Sequence, residues 1–198
     1  ERHRQGSRDG RHPRLALGAC VMFERLDSLD RVLETHSVAL GGDLNAYRNH
    51  AYRVVNLCAA LAPCTDDSLE KVALASAFHD LGIWTAQTFD YLEPSVALAC
   101  NHLDCAGHGD WRDTVAGMIR EHHKVRVFRG ADAGFVEPFR RADWIDVSLG
   151  VLSFGLPRAR LREIFRRWPN AGFHQRLAQL TFKRLRTHPL SPIPVLKW

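Results

Sequence analysis

The segment DDSLEKVALASAFHDLG, residues 66–82, carries a strong helical pattern and ends with a His-Asp pair. Asp67 can cap its N-terminus, with Glu70 three residues later as in a capping box. We expect the helix to reach about Leu81. Gly82 then takes the position at which helices commonly stop.

The His-Asp pair near the end of this segment has the side chains that a metal ion needs. His79 follows Val72 and Ala75 by seven and four residues, so it shares their inward-facing stripe. Asp80 is next to it, at the predicted helix C-terminus. The helix dipole places partial negative charge there, which favours a bound cation.

Three further predicted helices carry metal-binding side chains on their apolar stripes. Because each stripe recurs with the helical period, these side chains should converge in the core. The three helices are Asn45–Leu61 with His50, Asp110–His123 with His122, and Pro138–Val151 with Asp143 and Asp146.

The rest of the chain repeats the helical period. No long stretch alternates with a period of two, so we predict an all-α fold. A length of 198 residues fits one domain. We predict a single compact helical bundle over residues 21–198, preceded by a flexible tail at 1–20.

Composition excludes several classes of protein. The chain is 45% apolar and 25% charged, and no stretch approaches the roughly 18 apolar residues of a membrane span. The five cysteines are an odd number without a CxxC pair, which argues against a disulfide framework or a zinc ribbon. We therefore expect a soluble, cytoplasmic protein that does not engage a membrane.

Charge is distributed unevenly along the chain. The net charge is +5, but residues 15–157 carry −7, between basic segments at 1–14 and 158–198. An acidic centre disfavours nucleic acid as a partner. It suits a cation site, because several metal ligands are acidic.

A bound cation is the simplest joint explanation of the inward His and Asp residues. A lone histidine on an apolar stripe is usually a core residue. Several buried charges together cost several kcal/mol each unless they are paired or bound to metal. Imidazole and carboxylate ligands suit Fe, Mn, Zn, Ni or Co, as one or two divalent ions.

The order His50, His79-Asp80, Asp143 resembles the H…HD…D signature of the HD superfamily of metal-dependent hydrolases. The flanking residues also fit, with YRNHAYR at 47–53, AFHDLG at 77–82 and RADWID at 141–146. The resemblance covers about residues 43–155 and implies a helical HD-type domain. It also implies a metal bound by His50, His79, Asp80 and Asp143, with bound water as the nucleophile. Asp146 is then a second-choice ligand or a residue that orients one.

Members of this superfamily with two metal ions add histidines between the His-Asp pair and the last Asp. Asp80 would then bridge the two ions. His122 is a candidate ligand or substrate contact, because EHHK at 121–124 resembles the doubled histidine of some such members. His102 and His123 are further candidates, whereas His108 is expected to be exposed in a Gly-flanked loop.

One departure from the superfamily pattern concerns phosphate binding. Many of its phosphohydrolases have Lys three residues after the Asp, where this chain has Ile83. Lys124 and Arg126 can replace that Lys as phosphate partners, or they are exposed loop charges. Trp84 can line a substrate pocket or fill the core.

The leading hypothesis is a metal-dependent hydrolase that acts on a small phosphoester or nucleotide-like substrate. Asp80, His122 and Lys124 are its predicted catalytic residues; Trp84, Lys124 and Arg126 are predicted to bind substrate. A nitrile hydratase is an open variant. So is a non-haem di-iron oxygenase, with the ligands His50, His79, Asp80, His102, His122 and Asp143. A degenerate module that only binds a ligand is the remaining alternative, and a homo-oligomer is compatible with all of them.

Overall fold

The structure, a computed structural model, describes residues 21–88 and 90–187. These residues form helices joined by turns, and no strand occurs among them, which confirms the predicted all-α fold. Helices α1 to α10 span Asp27–Thr35, Ser37–Leu40, Leu44–Leu61, Asp66–Phe78, Gly82–Thr85, Leu92–Cys105, Arg112–Glu121, Ala133–Val147, Arg158–Arg167 and Phe173–Thr187. The predicted tail at 1–20 lies outside the described residues.

Helix α3 forms the centre of the bundle. Its side chains are buried on every face from Tyr47 to Cys58, except for Arg48. A helix that is buried all round lies in a core rather than on a surface. It packs against α4, α8, α9 and the start of α10, so a side chain on α3 can meet groups from several helices.

Helix α4 differs from the expectation at both ends. Thr65, rather than Asp67, is the N-cap, because its hydroxyl accepts from the Ser68 N–H at 3.3 Å and Ser68 Oγ accepts from the Thr65 N–H at 2.7 Å. The helix ends at Phe78. His79 and Asp80 therefore lie in the turn that follows α4.

Gly82 does not end a helix, as the sequence suggested, but begins the single-turn helix α5. Its missing side chain lets the backbone around Tyr91 come close to the turn that contains His79 and Asp80. A Cβ added at Gly82 would lie 2.5 Å from the carbonyl oxygen of Tyr91 and 2.9 Å from Oγ of Ser95. Only glycine permits the Tyr91 loop to come so near the His-Asp turn.

Helix α8 begins at Ala133, five residues before the predicted start at Pro138. The N–H groups of Phe135 and Val136 both donate to the Asp132 carbonyl at 2.9 Å, which starts the helix there. Asp143 and Asp146 lie on its buried face, as predicted.

The buried apolar side chains of the described residues form one contiguous core, which extends from α1 to the first residue of α10. The polar site described below lies inside this core. Within residues 21–88 and 90–187, no helix combines the length and the apolar character that a membrane crossing requires. The division into a tail and a single domain stays a prediction.

Candidate metal centre

Six polar side chains meet where α3, the turn after α4, the turn after α7 and α8 come together. We call this group the metal cluster. The side chains of His50, His79 and His122 have no exposed surface, those of Asp80 and Asp143 are 4% and 2% exposed, and that of His123 is 17% exposed. The cluster consists of His50, His79, Asp80, His122, His123 and Asp143.

One half of the cluster, the first set, combines two imidazoles with two carboxylates. Nε2 of His50 lies 2.8 Å from Nε2 of His79. Oδ2 of Asp80 is 3.5 Å from each of these nitrogens. Oδ1 of Asp143 lies 3.7 Å from Nε2 of His50 and 3.8 Å from Nε2 of His79.

The other half, the second set, uses the remaining oxygens of the same carboxylates. Oδ1 of Asp80 lies 3.4 Å from Nε2 of His122. Oδ2 of Asp143 lies 3.6 Å from Nδ1 of His123. Each carboxylate therefore faces both sets, and groups suited to a metal ion form on both sides of Asp80.

Hydrogen bonds on the far side of three rings fix which nitrogen faces the cluster. Nδ1 of His79 donates to the Ser76 carbonyl at 2.8 Å, and Nδ1 of His122 donates to the Ile119 carbonyl at 2.7 Å. Nδ1 of His50 lies 2.6 Å from Oδ2 of Asp146. These acceptors hold the Nδ1–H groups away from the cluster, so each ring, when neutral, turns the lone pair of Nε2 to the cluster, as in histidines that bind metal.

The rings of His50 and His79 are close enough to share a proton or a metal ion. The 2.8 Å between the two Nε2 atoms is a hydrogen-bond distance, and His50 can donate this bond to neutral His79, because Asp146 and Asp80 raise the pKa of His50 to about 9 although burial opposes this. Two nitrogens bound to one ion at about 2.1 Å and a right angle would lie about 3 Å apart. The observed spacing therefore fits either a shared proton or a bound ion between the two rings.

Buried polar atoms without hydrogen-bond partners also indicate that the cluster can hold a metal ion. Oδ1 of Asp80, Oδ1 of Asp143 and Nε2 of His122 are buried without a hydrogen-bond partner among the described residues. Buried polar atoms are nearly always satisfied, by protein, water or an ion. Three unpartnered atoms that can each bind a metal lie in one cluster. They indicate that the buried His and Asp groups can hold a metal ion.

The shifted pKa values of the cluster also favour a bound cation. Burial raises the pKa of Asp143 to about 7, and the nearby charges of Asp80 and Asp146 add to this effect. Burial also lowers the pKa of His79 to about 3, with the charges of His50 and His122 contributing. A cation would relieve the crowding of the carboxylates and accept the neutral imidazole as a ligand.

Asp146 lies just behind the cluster and orients it. It bonds to Nδ1 of His50 and forms a fully buried ion pair with Arg53, whose Nη2 lies 3.0 Å from Oδ2. Arg53 also donates to the Trp168 and Pro169 carbonyls at 3.0 and 3.1 Å. Of the two roles that the sequence left open for Asp146, the geometry matches the residue that orients a ligand.

Helix α10 closes one side of the cluster. The ring of Phe173 stacks on the ring of His50, with centroids 3.9 Å apart and planes 14° apart. Nε2 of the next residue, His174, donates to the Asp146 carbonyl at 2.9 Å. The first turn of α10 is therefore anchored to His50 and to Asp146.

The structure brings His50, His79, Asp80, His122 and Asp143 together, as the sequence predicted, but not His102. The imidazole of His102, on α6, packs on the ring of Phe78, with centroids 5.4 Å apart. It lies beside the buried Leu103 on a partly exposed flank of that helix. His123 instead supplies the fourth imidazole of the cluster.

Of the three predicted substrate contacts, Lys124 and Trp84 have other partners. Nζ of Lys124 lies 3.1 Å from Oε2 of Glu121, and Arg126 is exposed. Trp84 is 8% exposed, and its Nε1 donates to Oδ2 of Asp43 at 2.9 Å, which favours the core-packing alternative. His108 is exposed, as expected, and stacks on Trp111.

Three residues around the cluster were not predicted from the sequence: Arg53, Phe173 in its stacking role, and Tyr91. Arg53 follows His50 by three residues, and Asp146 follows Asp143 by three, so helical spacing contained a signal for their pairing. No comparable signal marked Tyr91, whose hydroxyl lies 2.6 Å from Nε2 of His123.

Comparison with known proteins finds no matching family model, no matching curated protein and no matching solved structure. The helical bundle and its buried His and Asp groups are compatible with an HD-type site.

Proposed function

We propose that this protein is a metal-dependent hydrolase with two divalent transition-metal ions in the metal cluster. The observation that carries the proposal is the sharing of carboxylates. Asp80 and Asp143 each turn one oxygen to the first set and the other to the second set. Two ions bridged by carboxylates are a common arrangement for activating water against a phosphoester.

Each residue has a distinct part in this proposal. His50, His79, His122 and His123 would hold the ions, Asp80 and Asp143 would bridge them, and Asp146 would keep His50 oriented. Bound divalent ions supply a water molecule of lowered pKa and polarise substrate oxygens. Imidazole and carboxylate donors suit Fe, Mn, Zn, Ni or Co.

The substrate is expected on the side of His123, because that side chain has the largest exposed fraction in the cluster, 17%. Two divalent ions bound by two carboxylates leave a net positive site. This charge favours a small anionic substrate such as a phosphoester or a nucleotide. Lys124 could join it only by leaving the ion pair with Glu121.

A non-haem di-iron oxygenase is the second candidate. Of the two predicted phosphate partners, Lys124 is paired with Glu121 and Arg126 is exposed, so neither is paired with a residue of the cluster. Four imidazoles and two carboxylates also suit iron. The predicted iron ligand His102 would be replaced by His123.

Metal content decides between these candidates. The protein is refolded separately with Zn²⁺, Mn²⁺ and Fe²⁺, freed of loose metal, and measured for ions per chain beside His79→Ala. His102→Ala is the matched control, because it removes an imidazole outside the cluster. We expect about two ions in wild type and in His102→Ala, and loss in His79→Ala.

Activity is then assayed with each metal that the protein binds. Hydrolysis of a phosphoester panel, lost in His79→Ala and kept in His102→Ala, supports the hydrolase. Oxygen uptake by the iron form without hydrolysis would overturn the hydrolase and support the oxygenase. Wild-type protein that binds none of the three metals would overturn both candidates.

A further inference from the structure

Arg140, on α8, is a buried arginine that binds the chain directly after the doubled histidine. It is 3% exposed. Its Nε and Nη2 donate to the two carboxylate oxygens of Glu137 at 2.8 and 2.7 Å, which makes a bidentate ion pair. Its Nη1 donates to the Lys124 carbonyl at 2.9 Å. The ion pair therefore fixes the guanidinium, and the guanidinium fixes a backbone carbonyl one residue after His123.

The backbone of Lys124 is bonded through both of its polar groups. Its N–H donates to the Glu121 carbonyl at 2.9 Å. Its carbonyl accepts a second bond besides that of Arg140, from Nε1 of Trp144 at 3.2 Å. Arg140 and Trp144 both lie on α8, so this helix holds the turn that carries the two histidines.

The same ion pair holds the chain at a second point. Glu137 accepts from the Phe128 N–H at 3.0 Å. Arg140 and Glu137 together therefore bind the segment at Lys124 and at Phe128. Because the residues between these points, 125–127, are exposed, core packing contributes little to holding them, and the bonds to α8 restrain the segment instead.

The ring of His123 depends on this restraint more than the other imidazoles do. Each of the others has a hydrogen bond behind its ring, to a backbone carbonyl or to Asp146. Among the described residues, the ring of His123 has no bond to a backbone carbonyl. Its Nε2 lies 2.6 Å from the hydroxyl of Tyr91, and its Nδ1 lies 3.6 Å from Oδ2 of Asp143. The gap to Asp143 is therefore set by where the backbone of this turn lies.

We infer that Arg140 is a positioning residue that places His123 beside Asp143 and so completes the second set. The inference rests on the proposed two-ion function. Asp143 follows Arg140 by three residues, about one turn of α8. A single helix therefore supplies the shared carboxylate and also holds the backbone of the imidazole that faces it.

Two substitutions weaken this restraint in different ways. Arg140→Lys keeps a positive charge beside Glu137 but removes the planar fork, and an ammonium cannot form the bidentate pair while bonding the Lys124 carbonyl as the guanidinium does. Trp144→Phe removes the other donor to the same carbonyl and leaves the buried ion pair intact.

Arg160→Lys is the matched control. Arg160, on α9, also pairs with a glutamate three residues away, Glu163, at 2.9 Å. It also donates to a carbonyl distant in sequence, that of Val21, at 3.0 Å. None of these three residues belongs to the metal cluster, so this variant makes the same chemical change without touching the turn of His123.

Amide hydrogen exchange of the metal-free protein, followed residue by residue by NMR, tests whether Arg140 holds the turn. In Arg140→Lys, the N–H groups of Lys124 and Phe128 should exchange about 10-fold faster, as for loss of a hydrogen bond to a charged group. The amides within α7 should keep their wild-type rates. Trp144→Phe should give a smaller increase at Lys124, and Arg160→Lys no increase at either residue. Unchanged rates at both residues in Arg140→Lys and Trp144→Phe, or an equal increase throughout α7, would overturn the inference.

Metal binding then tests whether the turn matters for the second ion. Each protein is refolded over a series of Mn²⁺ concentrations, its folding is confirmed by circular dichroism, and bound ions are counted per chain. We expect two ions in wild type and in Arg160→Lys. In Arg140→Lys the first ion should be kept and the second bound about 10- to 100-fold more weakly, as for loss of a group that orients a ligand.

The two measurements separate failure of the inference from failure of the proposed function. Equal binding of both ions in wild type and Arg140→Lys would overturn the inference and leave the proposed function in place. Wild-type protein that binds no Mn²⁺ would count against the proposed function, and the exchange rates would still decide whether Arg140 holds His123 in position.

Discussion

At the scale of single residues, Asp143 and Asp146 lie one turn apart on α8 and have different partners. Asp146 faces the guanidinium of Arg53, and that charge together with His50 holds the pKa of Asp146 well below its usual range, although burial opposes this. Asp143 contacts imidazoles and forms no ion pair with a described Lys or Arg. The two carboxylates should therefore respond differently to the same substitution.

Asp146→Asn should destabilise the metal-free protein by about 3–5 kcal/mol, because it leaves Arg53 buried and unpaired. Metal affinity should fall by about 10- to 100-fold as His50 loses its orientation. Urea unfolding and metal titration measure the two effects.

Asp143→Asn provides the contrast. It should abolish tight metal binding while leaving the metal-free protein at least as stable at pH 8. Burial raises the pKa of Asp143 to about 7, so its ionised form destabilises the metal-free fold at that pH. Equal destabilisation by the two substitutions would contradict the separate roles given to these carboxylates.

At the scale of elements, the contact between α5 and the Tyr91 loop depends on Gly82. Gly82→Ala should destabilise the protein by about 1–3 kcal/mol, because the new methyl group collides with backbone atoms of Tyr91 and Ser95. Gly134→Ala is the control, since an added Cβ there meets nothing within 4 Å. It should be neutral or stabilising by up to about 1 kcal/mol in thermal unfolding. Similar losses in both variants would contradict the close approach.

Glu137 connects α8 to the loop that follows His123. It accepts from the Phe128 N–H at 3.0 Å, and it contacts Arg140 at 2.7 and 2.8 Å and Arg141 at 2.6 Å. Burial would raise the pKa of Glu137, but Arg140, the Phe128 N–H and Arg141 lower it to about 2.

This shift gives a prediction for acid stability. Since the folded-state pKa is below the unfolded value, the stabilisation is complete above about pH 4.5 and is lost towards pH 2, by at most about 3 kcal/mol. The gap in unfolding free energy between wild type and Glu137→Gln should narrow as the pH falls from 5 to 2. A constant gap over that range would contradict the proposed origin of the shift.

The doubled histidine shows where prediction from sequence reached its limit. Successive residues of an α-helix point about 100° apart, so the periodicity that placed His122 inward turned His123 away. Helix α7 instead ends at Glu121, and Lys124 N–H bonds to the Glu121 carbonyl at 2.9 Å in a turn. This turn brings the rings of His122 and His123 to 3.9 Å, with both in the cluster.

At the scale of the whole molecule, the cluster joins residues from four parts of the chain, so bound metal should stabilise the fold. One ion at a free concentration 100-fold above its Kd adds about 2.7 kcal/mol. For a domain of this size, that raises Tm by about 5–10 °C. Differential scanning calorimetry of protein refolded with and without Zn²⁺ measures the shift. His79→Ala should abolish the shift and His102→Ala should keep it; a shift that persists in His79→Ala would place the stabilising metal elsewhere.

The fold and most of the cluster could be predicted from the sequence because both follow from one periodicity. The stripes on α3, α4, α7 and α8 placed His50, His79, His122 and Asp143 inward before any tertiary contact was known. The prediction grouped His102 with these residues, but it lies outside the cluster, because a period gives the face of a helix but not which neighbour that face meets. Tyr91 and Phe173 reach the cluster through a loop and a helix start, where no period applies.

The burial of the cluster also determines when a metal ion can enter or leave it. With five of six side chains at most 4% exposed, an ion held by the first set can exchange only when the helices around it separate locally. Exchange should therefore be slow compared with loading of the nascent chain. The ion recovered with the purified protein will then record which metals surrounded the chain as it folded.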